Sequence, residues 1–124
     1  MASLDLDNNP SHYQIRAYQP GMLRVNDKTI TTSIIITANA LIENWQPQTI
    51  SELTSESLQA ILDLKPDIVL IGTGATLIFP SADIYGPIIQ QGIGVEIMDT
   101  RAACRTFNAL TAESRNVAAA LIIS

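Results

Sequence analysis

Apolar and polar positions alternate over residues 13–18, which is the pattern of a half-buried β-strand, and further strand-like runs follow in the first third of the chain. Residues 22–25 and 28–30 are predicted to form a hairpin that follows this strand. Turn signals separate the three runs at Gln19-Pro20-Gly21 and Asn26-Asp27. A fourth run, Ser33-Ile34-Ile35-Ile36-Thr37, is apolar enough to be covered on both faces. The opening third is therefore predicted to be a β-meander.

A loop over residues 38–50 leads into the first predicted helix. Ser51 or Thr54 is its expected N-cap, because a side-chain oxygen there accepts a hydrogen bond from a free amide of the first turn. Lys65-Pro66 is expected to end it, since proline cannot continue a helix.

Strands and helices alternate after this point. Apolar runs predict strands over residues 67–71, 95–98 and 116–123. Helices are predicted over residues 81–91 and, capped by Asp99-Thr100, to about residue 114. Gly86-Pro87 interrupts the first of these, so a broken or late-starting helix is an alternative there. The β-α-β-α-β order predicts parallel strands joined by right-handed crossovers, hence a single α/β domain over residues 12–124.

Residues 1–11 are polar and are expected to form a flexible N-terminal segment. They contain neither a basic region nor an apolar core of a secretory signal, and their acidity is unlike a mitochondrial presequence. The single cysteine favours a reducing compartment, so a cytoplasmic location is expected. No apolar run is long enough to span a bilayer, and no membrane insertion is predicted.

The charge of the chain limits the kinds of partner that it can bind. With a net charge of −5, it is poorly suited to neutralising the phosphates of nucleic acids. Three of the seven basic residues nevertheless lie close together near the C-terminus: Arg101, Arg105 and Arg115. With Asn108 they recur at helical spacing, which predicts either an ordinary solvated face or a basic docking surface for an acidic partner.

Two loops are predicted to meet at the carboxyl edge of the sheet, where open α/β sheets bind ligands. One is Gly72-Thr73-Gly74, after the first parallel strand, and the other is Asp99-Thr100, after the second. Free amides of the following helix, with Arg101 and Arg105, would favour a small anion in the crevice between them. The alternative is structural: a tight glycine turn, an ordinary cap and solvated arginines.

Other chemistry finds little support in the residues. No cofactor is predicted, because Ile78-Phe79-Pro80 occupies the place where a dinucleotide fingerprint needs a small residue and a helix start. One histidine, His12, and one cysteine, Cys104, make a transition-metal site or a catalytic triad implausible. Cys104 is interpreted as a buried apolar residue rather than a reactive thiol. Glu96, inside an apolar run, is expected to be buried and paired with an arginine rather than to act as a base.

A long ordered set of residues resembles a known family of small domains. The set comprises Gly72-Thr73-Gly74, Gly92-Ile93-Gly94-Val95-Glu96-Ile97-Met98-Asp99-Thr100, Ala102-Ala103-Cys104-Arg105-Thr106-Phe107-Asn108 and the run from Glu113 through Arg115 to Leu121. They are similar to the archaeal, bacterial and mitochondrial family typified by the methanogen "938" protein. That family includes a mitochondrial complex I assembly factor and an adipogenesis-associated protein.

The resemblance implies a fold and a type of function. The implied fold has three layers: a central mixed, mostly parallel sheet, helices, and a smaller N-terminal β-meander layer. The family has no established catalytic activity, so the resemblance implies binding to a protein partner, in complex assembly. Asp27 and Phe107 depart from the glycine and tyrosine common in the family, and the hydroxyl of that tyrosine is thereby lost.

Overall fold

The computed structural model describes residues 11–124, which form eight β-strands and three α-helices. The strands are β1 (Ile15–Gln19), β2 (Met22–Val25), β3 (Lys28–Ile30), β4 (Ile34–Thr37), β5 (Leu41–Ile42), β6 (Ile68–Thr73), β7 (Gly94–Met98) and β8 (Val117–Ile122). The α-helices are α1 (Gln59–Leu62), α2 (Ala82–Gln90) and α3 (Thr100–Ala112). The predicted α/β class is confirmed.

The strands form two sheets. Strands β1, β2 and β3 make an antiparallel meander, and the central sheet has the order β5-β4-β8-β6-β7. Strand β6 runs parallel to both β7 and β8, whereas β4 is antiparallel to β8 and to β5. The central sheet is therefore mixed. The prediction that β4 continues the meander is wrong, because its three isoleucines, Ile34 to Ile36, are fully buried beside β8.

Side chains of the central sheet alternate between two apolar layers, as the period of a strand requires. Ile34, Ile36 and Leu70 pack with the meander and α3 on one face. Ile35 and Val69, on the other face, pack with α1 and α2. Both faces are thus covered, which accounts for the continuous apolar runs in the sequence. The three layers implied by the family resemblance are present.

Of the first two predicted helices, one differs from the prediction and the other agrees with it. The first is shorter than predicted: two 3-10 turns, Ile50–Glu52 and Glu56–Leu58, precede the four residues of α1. Thr54 and Ser57 exchange backbone-to-hydroxyl hydrogen bonds, which tighten this segment into a turn. The second, α2, matches the helix predicted over residues 81–91 and is continuous through Pro87, so the alternative of a broken or late-starting helix is wrong.

Ser11 marks the start of the described chain. It is buried, and its hydroxyl hydrogen-bonds to the carbonyl of Tyr13, while the amide of His12 donates to the carbonyl of Ala38. The end of the segment predicted to be flexible is therefore packed at Ser11, and the prediction for residues 1–10 lies outside the described residues. No helix in residues 11–124 is long and apolar enough to cross a membrane.

Candidate functional site

The glycine loop after β6 and the start of α3 are joined directly. The Thr100 hydroxyl accepts a hydrogen bond from the amide of Gly74 at 2.8 Å and donates one to the carbonyl of Ile122 at 2.6 Å. The Thr100 amide donates to the carbonyl of Gly74 at 2.9 Å. Because Thr100 is fully buried, these bonds replace water at the junction. At this point the two segments of the predicted crevice are bonded directly to each other.

Gly72 has a packing role at the same junction. A Cβ atom on this residue would lie 2.9 Å from both the Thr100 hydroxyl and a methyl group of Leu121. Such distances are too short for van der Waals contact, so only glycine lets α3 approach β6 this closely. Gly74 has a φ of +101°, and a Cβ there would meet the carbonyl oxygen of Ser124 at 2.9 Å. Close packing therefore accounts for the glycines at both positions, as in the structural alternative given by the sequence.

Thr73 organises the loop that follows β6. Its buried hydroxyl donates to the carbonyl of Thr76 at 2.7 Å and accepts from the amide of Ile78 at 3.2 Å. We refer to residues 75–80 as the apolar loop, because the side chains of Leu77, Ile78 and Phe79 are exposed by 50%, 46% and 67%. Ile89 in α2 is the other large apolar side chain exposed to this degree among the described residues.

Three candidate residues of α3 that follow Thr100 lie beside β1 rather than at the glycine loop. Arg101, Arg105 and Asn108 line a shallow groove of about 220 Å³ between α3 and β1. We refer to this feature as the arginine groove; its other lining residues are Ile15, Arg16, Ala17, Tyr18 and Cys104. The structure thus divides the predicted site residues into two groups, with Gly72, Thr73, Gly74 and Thr100 in the first.

Contacts with β1 hold the groove in shape. The Asn108 side-chain oxygen accepts from the amide of Ile15 at 3.1 Å, and its amide group donates to the Ile15 carbonyl at 2.7 Å. Asn108 thereby bonds both backbone groups of one residue, as a neighbouring strand would. The Arg101 guanidinium lies 5.4 Å from the centroid of the Tyr18 ring, within range of a cation–π interaction.

Cys104 lies in the floor of the arginine groove. Burial raises the pKa of its thiol to about 12, although the positive charges of Arg101 and Arg105 act in the opposite direction. Burial also raises the pKa of the neighbouring Tyr18 phenol. Both groups are therefore neutral at physiological pH. Cys104 is the buried apolar residue that the sequence indicated.

Glu96 is not buried, contrary to expectation. Strand β7 is the edge of the central sheet, and the Glu96 side chain is exposed on it. No lysine or arginine nitrogen lies within 4 Å of its carboxylate in the part of the chain that the structure describes. Solvation by water replaces the ion pair that a central strand would have required.

A second recess lies at the opposite end of α3. Its volume is about 330 Å³, and its lining includes Thr37, Asn39, Ser114, Arg115 and Asn116. These side chains offer hydroxyl, amide and guanidinium groups. Within residues 11–124, no three histidine, cysteine or carboxylate side chains gather where they could hold a metal ion.

Sequence reasoning missed the apolar loop as a surface feature. The signal was present, because four apolar residues in succession, Leu77 to Pro80, separate a strand from a helix. Polar residues are usual in such connections. The groove, in contrast, joins residues 15–18 to residues 101–108, and no local pattern indicates that pairing.

Comparison with known proteins identifies relatives along nearly the whole chain. Residues 15–122 match a family described as "Protein of unknown function (DUF498/DUF598)". NADH dehydrogenase (ubiquinone) 1 alpha subcomplex assembly factor 3 of Danio rerio is 34% identical over 110 residues, a match covering 87% of this chain and 63% of that protein. The "13 kDa major membrane protein" of Francisella tularensis is 31% identical, over 86% of this chain and 88% of that protein. The chain thus spans less than two thirds of the assembly factor's length.

Solved structures share the fold closely. The NMR structure of a Xanthomonas campestris protein superposes with a TM-score of 0.83 at 34% identity, covering 98% of this chain and 92% of the other. A Bordetella pertussis protein described as an Mth938-like domain gives a TM-score of 0.83 at 27% identity, with the same coverage.

Proposed function

The chain belongs to the DUF498/DUF598 family, the "938"-type domain that its sequence resembles, and we propose that it is a non-catalytic protein-interaction module that assists the assembly of a multisubunit complex. Relatives named as complex I assembly factors support an assembly role at the level of the family. Respiratory complex I is accordingly the first complex to examine as its target. The cytoplasmic location expected from the sequence belongs to the same proposal, and fractionation of the native host tests it.

The apolar loop is the observation that carries this proposal. Three consecutive large apolar side chains, Leu77, Ile78 and Phe79, are about half exposed or more. Keeping such a cluster in water forgoes the free energy that burial would provide, about 25 cal/mol per Å² of apolar surface. Exposed contiguous apolar surface of this kind marks sites where proteins bind one another, and an aromatic side chain such as Phe79 is a frequent anchor.

Hydrogen bonds restrain the backbone of the loop before any partner binds. Thr73 fixes its backbone by two hydrogen bonds, at Thr76 and Ile78. The ring of Pro80 further restricts the backbone where the loop leads into α2. A preorganised loop loses less conformational entropy on binding than a mobile one, so more of the burial energy contributes to affinity.

Affinity purification from the native host tests the proposal. The tagged chain is expected to retain a specific partner, and the double variant L77S/F79S is expected to lose it. The variant I89S is the matched control, because Ile89 is 51% exposed but lies in α2, outside the loop. The substitutions replace exposed side chains, so all three proteins should unfold at similar urea concentrations.

Two outcomes contradict the proposal. If L77S/F79S retains the partner as well as the unmodified chain does, the loop is not the docking element. If I89S loses the partner equally, general surface hydrophobicity is responsible rather than the loop.

A further inference from the structure

The arginine groove concentrates positive charge on an otherwise acidic protein. The chain has seven lysine and arginine residues against twelve acidic ones, yet Arg16, Arg101 and Arg105 all line this groove. Arg101 and Arg105 lie one turn apart on the exposed side of α3. Neither has a carboxylate within 4 Å in the described part of the chain. Two guanidinium groups are thus available to a ligand, and their mutual repulsion would be relieved by negative charge.

The groove is also preorganised. Stacking on Tyr18 orients the guanidinium of Arg101, and the paired hydrogen bonds of Asn108 fix β1 against α3. The pairing of β1 with β2 shifts register between Ile15 and Ala17, so Arg16 lies at a bulge. Bulges redirect side chains and are common beside binding sites. Independent contacts from β1 and α3 therefore define one surface.

The shape of the groove indicates what kind of ligand fits. Its volume, about 220 Å³, is below the range of roughly 300–1,000 Å³ typical of small-molecule pockets. It is bounded by a strand on one side and a helix on the other, which suits an extended chain lying along it. Guanidinium groups bind carboxylates through paired hydrogen bonds, so acidic side chains match the two arginines.

We propose that the arginine groove binds an acidic segment of a protein partner, with carboxylates seated on Arg101 and Arg105. The inference rests on the proposed function, because the ligand is taken to be part of a protein. It adds a second contact surface, chemically distinct from the apolar loop.

A peptide of alternating Glu and Gly, blocked at both ends, is the probe for this surface, and the matching Gln-Gly peptide is its control. Titration at low ionic strength should shift the amide NMR signals of residues 15–18 and 101–108 with the Glu peptide only. The affinity should fall as salt is added, because exposed charges are screened. The double variant R101Q/R105Q should bind about tenfold more weakly or worse, since two charge-assisted contacts are lost.

The variant R24Q/R115Q is the matched control, because it removes two exposed arginines that do not line the groove. The Kd of this control variant for the Glu peptide should lie within about twofold of that of the unmodified chain. Such a difference is smaller than the loss of one charge-assisted hydrogen bond would cause. R105Q alone is the second test if loss of the Tyr18 stacking makes R101Q unstable. The Arg105 side chain forms no hydrogen bond or ion pair within residues 11–124, so its replacement should leave the fold intact.

The proposal is overturned if the Gln-Gly peptide binds equally, if R24Q/R115Q weakens binding as much as R101Q/R105Q, or if the shifted signals lie elsewhere. It is also overturned if the Glu peptide does not bind. These results leave the proposed function unaffected, since that depends on the loop variant L77S/F79S. Loss of the native partner by the loop variant together with normal peptide binding would support both surfaces separately.

Discussion

Gly72 and Thr100 determine how closely α3 approaches the central sheet. The absence of a side chain at Gly72 leaves room for the Thr100 hydroxyl, which bonds the glycine loop on one side and the last residue of β8 on the other. The sequence pattern that suggested a ligand loop is therefore explained by packing. Glycine-threonine-glycine motifs serve either purpose, and only the spatial neighbours distinguish them.

Substitution of two glycines by alanine should have effects of different size. Gly72→Ala forces a Cβ into contact at 2.9 Å with Thr100 and Leu121, so it should lower the free energy of unfolding by about 1–3 kcal/mol. Gly86→Ala meets nothing within 4 Å apart from its chain neighbours, but the ring of Pro87 disfavours helical backbone at a preceding residue with a Cβ, so the gain in helix propensity is offset and that free energy should change by less than about 1 kcal/mol. Urea denaturation measures both values. A stabilising effect of Gly72→Ala would contradict the close approach of α3.

The Cys104 thiol makes the free energy of unfolding depend on pH in the alkaline range. Its pKa is about 12 in the folded chain against 9.0 for an exposed thiol, so the unfolded chain releases this proton first as the pH rises. The contribution of this group is fully present below pH 9 and is lost progressively as the pH rises toward 12.

The variant C104A isolates this effect. Its unfolding free energy should fall less steeply between pH 9 and 11 than that of the unmodified chain, because the titrating thiol is gone. Tyr18, whose pKa is also raised, is present in both proteins, so it contributes to both slopes. Identical slopes in urea titrations would show that the folded thiol titrates as an exposed one does.

At the scale of elements, the sequence predicted most strands and helices because their apolar periods are clear. All three parallel strands were found, and Asp99 caps α3 by accepting from the amide of Ala102 at 2.8 Å. The predicted length of the first helix was too great. A polar segment with two candidate N-caps does not show that most of its residues form 3-10 turns instead of α-helix. Glu96 was misassigned for a related reason: an apolar run does not show whether its strand is central or at an edge.

Pro87 lies inside α2 and removes one of its backbone hydrogen bonds. It is the sixth residue of the helix and leaves the carbonyl of Asp83 without its usual backbone donor. Pro87→Ala should restore that bond and raise the unfolding free energy by about 1–2 kcal/mol, after the greater flexibility of the unfolded chain is deducted. Thermal and urea unfolding measure the change. Lower stability of the variant would mean that the proline ring makes a packing contact worth more than the hydrogen bond.

For the whole molecule, local sequence patterns predicted the class of fold but not the order of all the strands in the central sheet. The β-α-β-α-β order predicted the parallel pairs, whereas the insertion of β4 beside β8 depends on burying both faces of its isoleucines. The two proposed binding surfaces show the same limit of sequence-based prediction. The apolar loop is contiguous in sequence and recognisable in principle, whereas the arginine groove joins segments that lie far apart along the chain.

Hydroxyl-radical footprinting of the chain, free and bound to its purified native partner, tests the interaction account most directly, because it reports side-chain exposure residue by residue. Phe79 is 67% exposed and Phe107 is fully buried, so the two provide an open and a closed reference for the same chemistry. We expect oxidation of Leu77, Ile78 and Phe79 to fall in the complex toward the level of Phe107. Undiminished oxidation of Phe79 in the complex, with protection elsewhere on the molecule, would contradict the proposal that the apolar loop is the docking element.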